Sequence, residues 1–145
     1  MGWRDRIRRA VRIFRHGRPP EGLSLAGEWV GTYSYSDAAA PVPFVVRLGD
    51  VGGRLSGTSE EANTFADPSA SHLHAALSGR REGWDASFTK TYDGAGGADH
   101  SLDYTGQISV CGRRIRGRWR LPVEQAGMDW SGGFSMTRRD VANER

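Results

Sequence analysis

A single cysteine, Cys111, among 145 residues rules out an intrachain disulfide framework and a zinc site built on paired cysteines. Lysine is as scarce: Lys90 stands alone against 19 arginines, a bias that we attribute first to GC-rich coding. Long apolar runs are missing, and none approaches the ~20 residues of a membrane-spanning helix. The N-terminus has charge but not the apolar core of about 7–15 residues that a secretory signal carries. Nor does Met1-Gly2-Trp3-Arg4-Asp5-Arg6 match a myristoylation site, because Arg6 holds the position that favours Ser or Thr. These absences lead to the expectation of a cytoplasmic protein, peripheral to a membrane at most through its N-terminus.

What is present suits a small β domain. The length fits one domain that buries roughly two thirds of its unfolded surface. Gly is abundant at 20, aromatics make up 10% and mean hydropathy is −0.57, as expected of strands joined by many turns. The net charge of +3 is unevenly placed. Residues 1–18 hold seven arginines against Asp5 and carry +6, so the remainder sums to −3. A diffuse basic surface on the domain is therefore not expected, and nucleic acid is not an expected partner.

Residues 3–16 read as a short helix. Trp3, Ile7, Ala10, Val11 and Phe14 gather in one apolar stripe of roughly 100° while arginines cover the rest. Gly17 and Pro19-Pro20 end it. A helix this short is marginal alone, so Trp3, Ile7, Val11 and Phe14 need cover. An anionic membrane surface would attract the arginines; the alternative is docking on the domain or on a protein partner. The organisation that follows is 1–18 basic amphipathic helix, 19–24 linker, 25–139 β-barrel and 140–145 tail.

The domain opens on Leu25-Ala26-Gly27-Glu28-Trp29-Val30-Gly31-Thr32-Tyr33-Ser34-Tyr35. Trp29, Gly31, Tyr33 and Tyr35 alternate with Glu28, Val30, Thr32 and Ser34, the period of a strand. Further strands are expected from Phe44 to Leu48, Arg54 to Glu60, Ser71 to Ser78, Gly83 to Tyr92, Ser101 to Val110, Arg114 to Leu121 and Met128 to Arg138. Gly31, Gly57, Gly106 and Gly117 sit mid-strand, where a missing side chain permits sharp coiling. Eight strands in a meander close into an all-β, antiparallel up-and-down barrel, its interior either filled or wide enough for one small ligand.

Gly27-Glu28-Trp29 opening such a meander resembles the calycin superfamily of lipocalins, fatty-acid-binding proteins and avidins. Gly57-Thr58, Tyr104-Thr105-Gly106-Gln107 and Gly117-Arg118-Trp119 are similar to avidin segments. The resemblance spans about residues 25–139 and implies a ligand-binding barrel without catalysis. In lipocalins the Gly-x-Trp tryptophan is packed by a basic residue of the last strand, which implies closure of one end by Arg138 against Trp29, with Arg139 as rival. The lipocalin disulfide is absent, and no histidine follows His100 to serve as the ligand of a nitrobindin-like haem barrel; no cofactor is expected.

Few chemical constellations stand out. His72 and His74 share one strand face and, with His100 or Asp67, could hold a metal; two exposed histidines opposite Leu73, Ala75 and Leu77 are the simpler account. Asp99-His100-Ser101 has the letters of a triad but consecutive residues point apart. Cys111 beside Arg113 and Arg114 is a turn cysteine or a thiolate favoured by charge. Arg114, Arg116, Arg118 and Arg120 alternate with Ile115, Gly117, Trp119 and Leu121. They form an outer row expected to pair across to Asp103, or else an anion-binding strip. Lys90 shares a face with Trp84, Phe88 and Tyr92; if internal, it needs a partner or an anionic ligand. The leading expectation is a non-catalytic barrel that binds a small, partly apolar ligand, lined by Trp29, Tyr33, Phe88, Lys90 and Tyr104. The alternative is a filled barrel acting as an interaction module through residues 1–18.

Overall fold

The computed structural model describes residues 17–35, 40–122 and 130–139. The expected N-terminal helix and the 140–145 tail lie outside them. The strands are β1 Gly27–Tyr33, β2 Val42–Val51, β3 Arg54–Ala62, β4 His72–Glu82, β5 Asp85–Tyr92, β6 Ser101–Ile108, β7 Arg114–Arg120 and β8 Ser131–Arg138. Each pairs antiparallel with the next, and β8 returns to β1 from Trp29↔Arg138 to Tyr33↔Phe134, giving a closed eight-stranded up-and-down barrel. Closure leaves no unpaired sheet edge. No helix among the described residues is long and apolar enough to cross a membrane.

Alternation determines what is inside. Trp29, Tyr33, Phe44, Val46, Leu48, Leu55, Leu73, Leu77, Phe88, Tyr104, Ile115, Trp119, Phe134 and Met136 are all buried in one core. Full burial of each large apolar side chain contributes roughly 1.5–3 kcal/mol. Two mid-strand glycines allow the staves to approach this closely. A Cβ on Gly31 would stand 2.3 Å from the Ser135 carbonyl oxygen, and one on Gly117 would stand 1.9 Å from that of Thr105. Any side chain there would force neighbouring strands apart.

Three aromatic positions differ from the sequence reading. Trp84 lies in the turn before β5, buried, and its indole N–H donates to the Gly17 carbonyl at 2.7 Å. Tyr35 lies beyond the end of β1 and packs edge-on against Trp119 at 5.4 Å. Trp130 precedes β8 and is 44% exposed, its ring edge-on to Tyr35 at 5.9 Å. Beyond the ladder the paired backbone no longer holds side chains to a period of two; Trp84 stays buried there, while Tyr35 is only partly buried and Trp130 is exposed.

One end of the barrel, where β1 begins and β2 turns into β3, is sealed by the segment before β1. The Leu25 amide donates to Asp50 Oδ2 at 2.8 Å and the Gly53 amide to Oδ1 at 2.9 Å. Arg81 Nε adds a charged bond to Oδ2 at 2.9 Å. Burial opposes ionisation of Asp50, yet the Arg81 guanidinium and the two amides outweigh it and hold the carboxyl below its usual range. Beside this clasp the Trp29 indole N–H donates to the Leu25 carbonyl at 2.9 Å. The Arg138 guanidinium stacks 5.0 Å from the Trp29 ring centroid and donates to the Ser24 carbonyl. Arg139 instead pairs with half-buried Glu28.

Candidate functional site

The opposite end, where β1, β3 and β5 finish, has a polar interior. Tyr33 ends β1, Glu61 is the penultimate residue of β3, and Lys90 and Tyr92 close β5. All four side chains point inward and are buried. Glu61 is the hub. Its Oε1 accepts from Lys90 Nζ at 2.6 Å and from the Tyr92 hydroxyl at 2.8 Å, while Oε2 accepts from the Tyr33 hydroxyl. A carboxylate only accepts and an ammonium only donates, so three donors on one carboxylate form a consistent buried network.

Aromatic rings surround the cation. Lys90 Nζ stands 4.9 Å from the centroids of both Tyr33 and Tyr92, 5.7 Å from that of Tyr104 and 5.8 Å from that of Phe44. Such faces attract an ammonium without hydrating it. Burial pushes the Lys90 ammonium below the ordinary lysine range, against the pull of Glu61. Burial likewise raises Tyr33, Tyr92 and Tyr104, and the Glu61 charge adds to it. The phenols therefore stay protonated and able to donate.

Next to this network lies a void of about 10 Å³, the free space that one water molecule needs. Lys90, Ser59 and Tyr104 supply its polar wall; Phe44, Val46, Leu77 and Phe88 supply the apolar wall. The Ser59 and Tyr104 hydroxyls are buried and have no hydrogen-bond partner among the described residues. Buried hydroxyls are nearly always satisfied, and leaving one unpaired costs about 1–3 kcal/mol. Two of them around one void beside a cation with spare N–H donors form an interior that can hold a small hydrogen-bonding molecule. Toward the mouth, Phe65 is 42% exposed and packs edge-on against Tyr92 at 5.6 Å; His100 lies 4.9 Å from the Tyr92 ring.

Of the residues picked out in the sequence, Phe88, Lys90 and Tyr104 meet at the void, and Tyr33 joins them through Glu61. Trp29 belongs to the sealed end with Arg138 and does not line this void. Glu61 lies one residue beyond the expected third strand, Arg54 to Glu60, and Glu60-Glu61 shows no paired spacing along the chain. The signal was there in the run Leu55, Gly57, Ser59, Glu61, whose period of two continues for one residue more. His72 and His74 lie exposed on β4, opposite buried Leu73 and Ala75, and no group of three metal-ligating side chains converges among the described residues. Cys111 is exposed. Its thiol is pushed down by hydrogen bonds from Ser109 and the Arg113 backbone.

The outer arginine row departs from expectation. Arg120 does lie opposite Asp103 in register, but Asp103 accepts instead from the Thr89 hydroxyl at 3.1 Å. None of the ion pairs among the described residues involves Arg114, Arg116, Arg118 or Arg120.

The chain was compared with models of protein families, of which none matches, and with curated proteins, of which none matches either. The functional reading therefore rests on the geometry above.

Proposed function

We propose that this protein is a calycin-type binding barrel that takes a small, partly apolar ligand at its polar end, without catalysis. The observation that carries the reading is the void beside Lys90, where two hydroxyls without partners among the described residues and a cation with spare donors face four apolar side chains. A ligand with one hydrogen-bonding head and a short apolar body matches that division. Because the void is only about 10 Å³, any ligand larger than water must displace side chains. The ones to move are those held by their tips: Lys90, Tyr33 and Tyr92, whose bonds all end on Glu61. The pair Lys90–Glu61 neutralises itself, and the flanking hydroxyls are phenols held in their protonated form, which favours binding over general acid–base or nucleophilic chemistry.

Native mass spectrometry of the untagged protein from its own host's lysate tests this. The expected result is a reproducible added mass that disappears on denaturation and falls in occupancy in Tyr104→Phe and Lys90→Met. A clean apo mass for the wild type overturns it. The small size of the void favours a second reading, in which the barrel is solid and the protein acts as an interaction module tethered by residues 1–18. Loss of binding to anionic vesicles when residues 1–18 are deleted supports the membrane version of that reading.

A further inference from the structure

The charge of the barrel is segregated. Residues 19–145 sum to −3, yet β7 presents Arg114, Arg116, Arg118 and Arg120 on its outer face. Alternate residues of one strand lie about 6.7 Å apart, so the row spans roughly 20 Å. Its cross-strand neighbours are weak competitors for a guanidinium. On β8 they are Thr137, Ser135, Gly133 and Ser131. On β6, Gln107 and Thr105 face Arg116 and Arg118, and Asp103 is the one acid, facing Arg120. Four guanidinium groups thus stand in line among hydroxyls, an amide, glycine and the one acid Asp103, with no ion pair among the described residues.

Arg118 and Arg120 also form one side of an outer groove of about 760 Å³, with Arg80 across it and hydroxyls of Ser78, Ser87 and Thr105 between. We propose that this strip binds the phosphate backbone of single-stranded nucleic acid, without reading sequence. Guanidinium forks match phosphate oxygens bidentately, and hydroxyls serve as additional donors. A protein interface of this kind would need an apolar centre, which the strip does not have; nucleic-acid interfaces are more polar and far more positive. A single row suits a single strand, since duplex phosphates run in two rows across a groove. At the Arg120 end the Leu121 amide donates to the Trp130 carbonyl at 2.8 Å, while the Trp130 ring packs against Tyr35. Asp103 opposes phosphate at that end and limits affinity.

Fluorescence anisotropy of the full chain with a labelled 20-nucleotide oligouridine at graded salt tests the proposal. Four phosphate contacts predict a log Kobs against log salt slope near −3 from the strip, at about 0.7 per contact. Arg114→Gln/Arg116→Gln/Arg118→Gln is expected to weaken binding at least tenfold at low salt and to flatten the slope by about 2. Asp103→Asn is expected to tighten binding two- to threefold, a gain that no folding defect can mimic. An unchanged slope in the triple variant would assign binding to the arginines of residues 1–18 and overturn the proposal. So would binding to phosphatidylserine vesicles, lost in the triple variant, with no binding to the oligomer.

Discussion

Each end of this barrel buries a carboxylate with no exposed side-chain surface, and the two are held by different kinds of donor. Asp50 takes two of its hydrogen bonds from backbone amides, those of Leu25 and Gly53, so its position is as rigid as the turn and the segment it clasps. Glu61 takes all of its bonds from the tips of side chains: Lys90, Tyr33 and Tyr92. Backbone donors cannot be re-aimed without unfolding, whereas an ammonium and two phenols can swing about their own torsions. The first arrangement is a clasp. The second is a network that can exchange partners, as the proposed binding requires.

The largest effect should come from breaking the network on one side only. Lys90→Met or Glu61→Leu alone leaves a charge buried and unpaired and should cost about 3–5 kcal/mol in urea denaturation. The double variant Glu61→Leu/Lys90→Met should recover most of that loss. Costs that simply add would mean that the two residues do not act as a pair.

The tyrosines sharpen the same contrast. All four tyrosines of the chain, Tyr33, Tyr35, Tyr92 and Tyr104, have their phenols raised, burial being the largest cause in each. A raised folded pKa means that stability is full below the unfolded value of about 10 and falls as pH rises past it. Tyrosinate absorbance at 295 nm should therefore stay low in the native protein and rise in one step with alkaline unfolding. A gradual rise near pH 10 in folded protein would show that the phenols are not enclosed.

At the sealed end, Asp50→Ala should cost about 2–3 kcal/mol, because two amides and Arg81 lose their acceptor. The pH dependence has the opposite sign to that of the tyrosines. Asp50 is held below the unfolded carboxyl value of about 3.9, so its contribution is complete above that pH and lost as pH falls through the folded value. The stability gap between wild type and Asp50→Asn should close on acidification below pH ~4; a gap independent of pH would argue against a charged clasp. The smallest effect belongs to Arg138→Ala. It removes one stacked cation from Trp29 and one bond to the Ser24 carbonyl, worth about 1–2 kcal/mol together.

Much of this could be read along the chain. The alternation of Trp29, Gly31 and Tyr33, or of Ile115, Gly117 and Trp119, specifies strands and their inner faces, because the side-chain period of an extended backbone is a local property. It puts Lys90 on one face with Phe88 and Tyr92 and leaves open whether that face is internal or at the rim. Pairing runs one residue past the expected strand at Glu61 and stops short of it at Tyr35 and Trp130, because the points at which cross-strand pairing begins and ends carry no signal along the chain. The period of two points Glu61 inward, but its pairing with Lys90 has no local signal. Glu61 lies 29 residues away on β3, which is separated from β5 by β4; the barrel's curvature brings the two side chains together across its interior.

Strand count, inward faces and the glycines that let staves touch were thus determined by the sequence itself, since each follows from the geometry of a few consecutive residues. Tertiary structure decided the rest: that β8 closes on β1, that Lys90 meets Glu61 rather than a bare cavity, and that Asp103 turns to Thr89 and leaves the arginines of β7 without an ion pair among the described residues. Those outcomes depend on which of several chemically eligible partners ends within about 3 Å, and distances between remote residues are set only when the barrel closes.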